Sequence, residues 1–257
     1  MSYYHLLDLP HVLQYSFYPQ QEWGPCPDYA SDLFVEVDAG IRISCRFFSA
    51  DPKFPTVLFF HGNGEIACDY DMIAPYFFSR SKANLIVAEF RGYGASDGKP
   101  TFAGLIADAH KIFQAVSAEL SNRGFLDDIW VMGRSMGSIP ALELAKSYPK
   151  EIRGLIIESG FPSATRIAKR LGLPVPEADI RLIEDECIKK IRSITMPALI
   201  IHGDCDTLVA ISEAYTLDKE LGSAEKRLFI VQGADHNSVI TSDFSGYFQA
   251  ISDFIHG

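Results

Sequence analysis

Six short, uninterrupted apolar runs, each closed by a glycine or a polar residue, restrict the fold of this chain more than any other feature. They are "TVLFFHG" from Thr56, "NLIVAEFRGYG" from Asn84, "IWVMG" from Ile129, "GLIIESG" from Gly154, "ALIIHGD" from Ala198 and "RLFIVQG" from Arg227. A strand with one face in water alternates apolar and polar residues. A continuous apolar run has both faces covered, as in a parallel sheet. Helical patterns fill the spaces between the runs. Leu105, Ala109, Ile112, Phe113, Val116 and Leu120 recur at helical spacing before Gly124, and Ile139, Leu142 and Ala145 do so before Tyr148 and Pro149. Phe244, Tyr247, Phe248, Ile251, Phe254 and Ile255 predict an amphipathic C-terminal helix. Strands alternating with helices build βαβ units, so the expected class is α/β with a mostly parallel sheet covered on both faces. One earlier stretch differs: "DLFVEVDAGIRISCRFFSA" alternates around Ala39 and Gly40, which predicts a half-exposed antiparallel hairpin.

With 257 residues, 47% of them hydrophobic, the chain can bury one large core, and a single domain over 1–257 is expected. The alternation lapses once, between Phe161 and Lys190, where "GLPVPEAD" breaks a segment too long for an ordinary crossover. We read 161–190 as a small cap insertion of one or two short helices over the strand ends. Phe161, Leu171, Leu173 and Val175 fit the lining of an acyl pocket, and they fit the ordinary packing of a small cap at least as well.

Charge and cysteines narrow the function classes. Asp plus Glu number 33 against 23 Lys plus Arg, a net charge of -10, and such a surface repels phosphate backbones and anionic lipid. Nucleic acid is therefore not expected as a partner. The first twenty residues lack the pattern of a signal peptide, and no run approaches the ~18 apolar residues of a membrane span. The expectation is a cytoplasmic protein without a membrane anchor. The five cysteines are scattered with no C-x-x-C pair, which argues against a zinc site or a redox motif.

The chemistry-bearing stretch is "MGRSMGSIP", Met132 to Pro140. A glycine-flanked serine is common by chance, but here a strand precedes it and a helix follows. That is the setting of a nucleophile elbow, in which a sharp turn lifts the serine clear of the sheet's carboxyl edge. Gly133 and Gly137 are then needed because a Cβ would collide with the neighbouring strand and helix. A serine needs a base, and the base needs an orienting acid. "HGDCDTLV" supplies Asp204 and Asp206 after one strand, and "VQGADHNSV" supplies His236 after the last. Both lie where open α/β sheets place their sites. His61 and His202 read instead as structural, hydrogen-bonded residues. Acyl transfer also needs backbone N–H groups for the oxyanion. Met136 offers one, and "HGNGE" offers the second from Asn63, with Gly64 next; the same stretch lacks the Lys and hydroxyl of a phosphate-binding loop.

From about Asp32 to Ile255 the chain resembles the α/β-hydrolase superfamily, on the stretches "FFHGNGE", "FRGYGASDGKP", "GRSMGSIPALELA", "PALIIHGDCDTLV" and "GADHN". The nearest resemblance is to the small-cap subgroup of serine hydrolases that includes protein depalmitoylases. It implies an α/β-hydrolase fold, selects Asp206 over Asp204 as the acid, and places the second oxyanion donor at Asn63. It assigns Arg91 and Asp97 to loop structure. The expected activity is a serine hydrolase cleaving carboxylic esters or thioesters of a small-molecule or acyl substrate, with no metal and no organic cofactor. A peptidase or amidase on the same triad is the alternative, and a non-catalytic binding protein on the same fold is the rival class. Ser135 excludes a dehalogenase, which needs a carboxylate at the elbow.

Overall fold

The computed structural model describes residues 3–257. In chain order its regular elements are α1 (Pro10–Ser16), β1 (Ala30–Asp38), β2 (Ile41–Phe48), β3 (Thr56–Phe60), α2 (Ala74–Ser81), β4 (Asn84–Ala88), α3 (Phe102–Asn122), β5 (Ile129–Arg134) and α4 (Ser138–Ser147). There follow β6 (Ile152–Glu158), α5 (Thr165–Arg170), α6 (Glu177–Arg192), β7 (Ala198–Gly203), α7 (Ile211–Glu220), β8 (Lys226–Val231), α8 (Val239–Ser242) and α9 (Phe244–His256). The eight strands form one sheet in the order β1-β2-β4-β3-β5-β6-β7-β8. From β4 to β8 all neighbours are parallel; β2 runs antiparallel to both β1 and β4.

The six apolar runs are the six parallel strands. Their side chains divide between two cores by the period of two that a pleated strand imposes. Leu58, Phe60, Ile86, Ala88 and Val131 join one core, with α3 and α4. Val57, Phe59, Leu85, Val87 and Met132 join the other, with Phe77 of α2 and Phe248 of α9. The strand ends thus sit on a rigid two-sided scaffold. One run departs from the sequence reading: β8 is half-buried over most of its length. It lies at the sheet edge, with β7 on one side only, so its outer flank has no strand to cover it.

Thr101 caps α3, its hydroxyl accepting the Gly104 N–H at 2.9 Å, and Gly124 ends the helix region with φ +73°. Where α3, α4 and α6 meet, Glu143 pairs with Lys190, and His110 lies 3.8 Å from it. Burial raises the Glu143 carboxyl, but the His110 and Lys190 interactions outweigh it and push it down to about 2. A carboxyl with a depressed folded value gives stability above its unfolded value of ~4.3, and that stability is lost as pH falls through the folded value. Glu143→Gln is therefore expected to cost about 2–3 kcal/mol at neutral pH and to flatten the fall in stability between pH ~4.3 and ~2. Urea midpoints measured across that range check it.

Candidate active site

At the end of β5 the backbone reaches Ser135 with φ +51°. This left-handed conformation is unfavourable for a residue with a Cβ and persists only where the surroundings enforce it. Two glycines do so. A Cβ on Gly133 would collide with the Gly137 carbonyl, and one on Gly137 would collide with the Phe60 carbonyl of β3. The turn can therefore close on itself and against the neighbouring strand only with glycine at both places. It runs through a short 3-10 turn, Ser135–Gly137, directly into α4.

Two other loops, each following a strand, meet Ser135 here. His236, from the loop after β8, has Nε2 3.0 Å from Ser135 Oγ and Nδ1 2.7 Å from Asp206 Oδ2, in the loop after β7. The other Asp206 oxygen accepts the N–H groups of Leu208 (2.8 Å) and Val209 (2.7 Å). Burial opposes the Asp206 charge, but the hydrogen bond from His236 and the Val209 N–H outweigh it and hold the carboxyl below its usual value. An ionised carboxylate only accepts, so Nδ1 carries the imidazole proton, leaving Nε2 as acceptor for the serine hydroxyl. Asp204 is turned elsewhere and accepts the Gly233 N–H at 2.6 Å.

The loop after β3 forms the facing wall. His61 is fully buried between two acceptors, with Nδ1 2.7 Å from the Gly62 carbonyl and Nε2 2.8 Å from Glu89 Oε2. Burial disfavours its charge, yet Glu89 and the Gly62 carbonyl outweigh that cost and raise its pKa above the usual histidine value. The carbonyl and N–H of a trans peptide point in opposite directions. Holding the Gly62 carbonyl on His61 therefore turns the Asn63 N–H away from His61, and that N–H donates to no described residue. The Asn63 side chain is anchored at both ends: Oδ1 accepts from Tyr93 Oη (2.6 Å) and the Tyr18 N–H (3.0 Å), and Nδ2 donates to the Ser16 carbonyl (2.9 Å). His202 is also buried and donates Nε2–H to the Val209 carbonyl at 2.8 Å, with burial lowering its pKa.

Ser135, Met136, Asn63 and His236 all line one cavity of about 590 Å³, within the range of small-molecule sites. Of the four apolar cap candidates, Phe161 and Leu171 line it. Leu173 and Val175 instead pack against the α3/α4 core. The sequence reading missed three parts of the wall. Tyr15, Ser16 and Tyr18 come from the N-terminal segment, Arg166 and Arg170 from α5, and Leu208 and Val209 from the loop after β7. It also missed Arg134, whose only local signal is its place beside the serine.

Comparison with known proteins identifies the family and the fold. Residues 51–175 match the family model described as serine aminopeptidase, S33. Alpha/beta hydrolase domain-containing protein 17B of Homo sapiens is 31% identical over 227 residues, covering 87% of this chain and 74% of the relative. Protein 17C of Mus musculus is 29% identical over 218 residues, covering 83% and 64%. Among solved structures, an esterase of Pyrococcus furiosus superposes with a TM-score of 0.73 at 20% identity, covering 92% of this chain and 97% of that one. A thioesterase domain of the curacin biosynthetic pathway gives 0.62 at 16% identity, covering 85% and 99%.

Proposed function

From the chain's membership of the α/β-hydrolase superfamily, as a relative of the alpha/beta hydrolase domain-containing 17 proteins, we propose that it hydrolyses carboxylic esters or thioesters through an acyl-enzyme on Ser135. One observation carries the reading: an unbroken hydrogen-bonded chain from Asp206 through His236 to Ser135 ends at the wall of a cavity. Esterases and a thioesterase among proteins of the same fold support the choice of acyl chemistry.

In this reading Ser135 Oγ attacks the substrate carbonyl as His236 Nε2 takes its proton. Asp206 holds the tautomer and stabilises the imidazolium. The N–H groups of Met136 and Asn63 receive the oxyanion, each worth about 3 kcal/mol in the transition state. His236 then protonates the departing alkoxide or thiolate, the carbonyl re-forms, and the acyl group stays on Ser135. Water, deprotonated by the same Nε2, attacks the acyl-enzyme and releases the acid. Every step uses the chain's own groups and water.

A panel of p-nitrophenyl esters of graded chain length, run beside acyl-CoA thioesters, tests the proposal. Turnover of esters or thioesters that saturates with substrate is expected. Ligand recovered intact after long incubation, with no acyl-enzyme, would favour a binding protein instead.

A peptidase reading has one observation of its own. Glu213 lines the cavity, and its Oε2 is buried without a partner while Oε1 pairs with Arg166 at 3.2 Å. That oxygen is buried and burial raises the Glu213 pKa, so it meets a substrate ammonium group only if the side chain turns into the cavity. Aminoacyl p-nitroanilides in the same panel decide it: faster cleavage of these than of any ester selects the amidase.

A further inference from the structure

We infer that Arg134 is a positioning residue that sets the geometry of acylation by tying three separate segments of the site to one guanidinium. The inference rests on the acyl-transfer reading above and adds to it a residue outside the triad and the oxyanion donors.

The side chain is buried and spends four of its five N–H donors. Nε donates to Glu158 at the end of β6 (3.1 Å). One terminal nitrogen pairs with Glu65, just beyond Asn63 in the loop after β3. The other donates both to the His236 backbone carbonyl (2.6 Å) and to Asn237 Oδ1 (3.1 Å). Arg134 is itself the residue before Ser135, so the serine turn, the His236 loop and the Asn63 loop share one rigid group.

The link to Asn63 is short. Glu65 Oε2 accepts the Gly62 N–H at 2.7 Å and the Tyr70 hydroxyl at 2.7 Å. Arg134 therefore reaches, through one carboxylate, the residue whose carbonyl begins the Gly62–Asn63 peptide. The pair packs closely on this loop: a Cβ on Gly62 would lie 2.6 Å from an Arg134 Nη and 2.7 Å from Glu65 Oε1, so a side chain there would push the ends of the pair aside. On the far side, Glu158 Oε2 accepts the Tyr247 hydroxyl at 2.7 Å, which anchors the network to α9.

Stability alone does not call for this arrangement, because well-packed apolar groups commonly replace a buried ion pair at no cost. A guanidinium adds geometry. Its donors lie in one plane at fixed angles, so its acceptors are held at fixed separations. A lysine offers three donors from one point and cannot span the same acceptors. Misplacing reacting groups by about 1 Å costs about 10²-fold in rate.

Arg134→Lys tests the inference, since it keeps the charge facing Glu65 and Glu158 while losing the planar fork. With a p-nitrophenyl ester, kcat is expected to fall about 30- to 100-fold with KM changed less than about threefold. In Arg134→Ala, added guanidinium ion is expected to restore about tenfold of the lost kcat while leaving the wild type unchanged, an effect of the vacated fork. A folded Arg134→Lys protein, judged by near-ultraviolet circular dichroism, with kcat within about threefold of wild type overturns the inference. If that variant melts below the assay temperature, Asn237→Ala decides instead. Asn237 is exposed, so the protein folds, and loss of one arm is expected to lower kcat about fivefold; an unchanged kcat overturns the inference. Fluorophosphonate labelling of the wild type runs in parallel. Failure to label Ser135 there brings down the acyl-transfer reading and this role with it. Labelling of the wild type together with an undiminished Arg134→Lys brings down the positioning role alone.

Discussion

Ser135→Ala is expected to lower kcat by about 10⁴- to 10⁶-fold and to abolish labelling by a fluorophosphonate. The size follows from covalent catalysis: without Oγ no acyl-enzyme forms, and only binding and oxyanion stabilisation remain. The variant isolates that chemistry, because alanine keeps a Cβ and so meets the φ of +51° on the same terms as serine. Ser138, in the next turn, cannot substitute for it. Its hydroxyl is committed to the Ser135 carbonyl at 2.7 Å. Labelling that persists in the variant at another serine would contradict the assignment.

Asp206→Asn is expected to cost about 10⁴-fold in kcat, for a reason specific to the hydrogen bonds around it. Oδ1 accepts two backbone N–H groups, from Leu208 and Val209. In an asparagine the carbonyl oxygen must stay there, because an amide NH₂ facing two donors would bond to neither. The NH₂ is thereby forced toward His236 Nδ1, which can then only accept. The imidazole proton moves to Nε2, and the ring donates to Ser135 Oγ when it should accept from it. The fold is little affected, since both backbone donors keep their partner. Measurement of kcat beside a thermal melt separates the two effects; an Asp206→Asn protein with kcat within about tenfold of wild type would contradict this role for the carboxylate.

Much of the fold was legible because its signals are local. Continuous apolar runs mark strands covered on both faces, and the helices between them keep their spacing whatever their partners are. Ser135, Asp206 and His236 were legible because each directly follows such a run, at the edge where the sheet delivers its loops. Asp206 was separated from Asp204 only by a family resemblance; in the structure it is Asp206 that lies against His236 Nδ1, while Asp204 accepts the Gly233 N–H. The half-buried state of β8 was not legible, because a strand's rank in the sheet is a tertiary property that its own residues do not record. Which of the four cap residues face the cavity was not legible for a similar reason: apolar character fits a core as well as a cavity. The N-terminal segment was read only for a targeting signal, not as part of the site. Its contribution is backbone, the Ser16 carbonyl and the Tyr18 N–H gripping Asn63 across 45 residues or more of chain, and no side-chain pattern announces it. Arg134 had the same invisibility, since its partners lie 24 to 103 residues away.

Whether Ser135 carries the acyl group is read directly by mapping the covalent adduct. The protein is treated with a fluorophosphonate, digested with trypsin and sequenced by mass spectrometry. Cleavage after Arg134 and Lys146 leaves Ser135 at the start of its own peptide, and fragmentation separates it from Ser138. One adduct per chain is expected, on Ser135, with none formed when His236 is replaced by alanine. An unmodified Ser135 peptide from protein that hydrolyses esters, or an adduct confined to another residue, would contradict it.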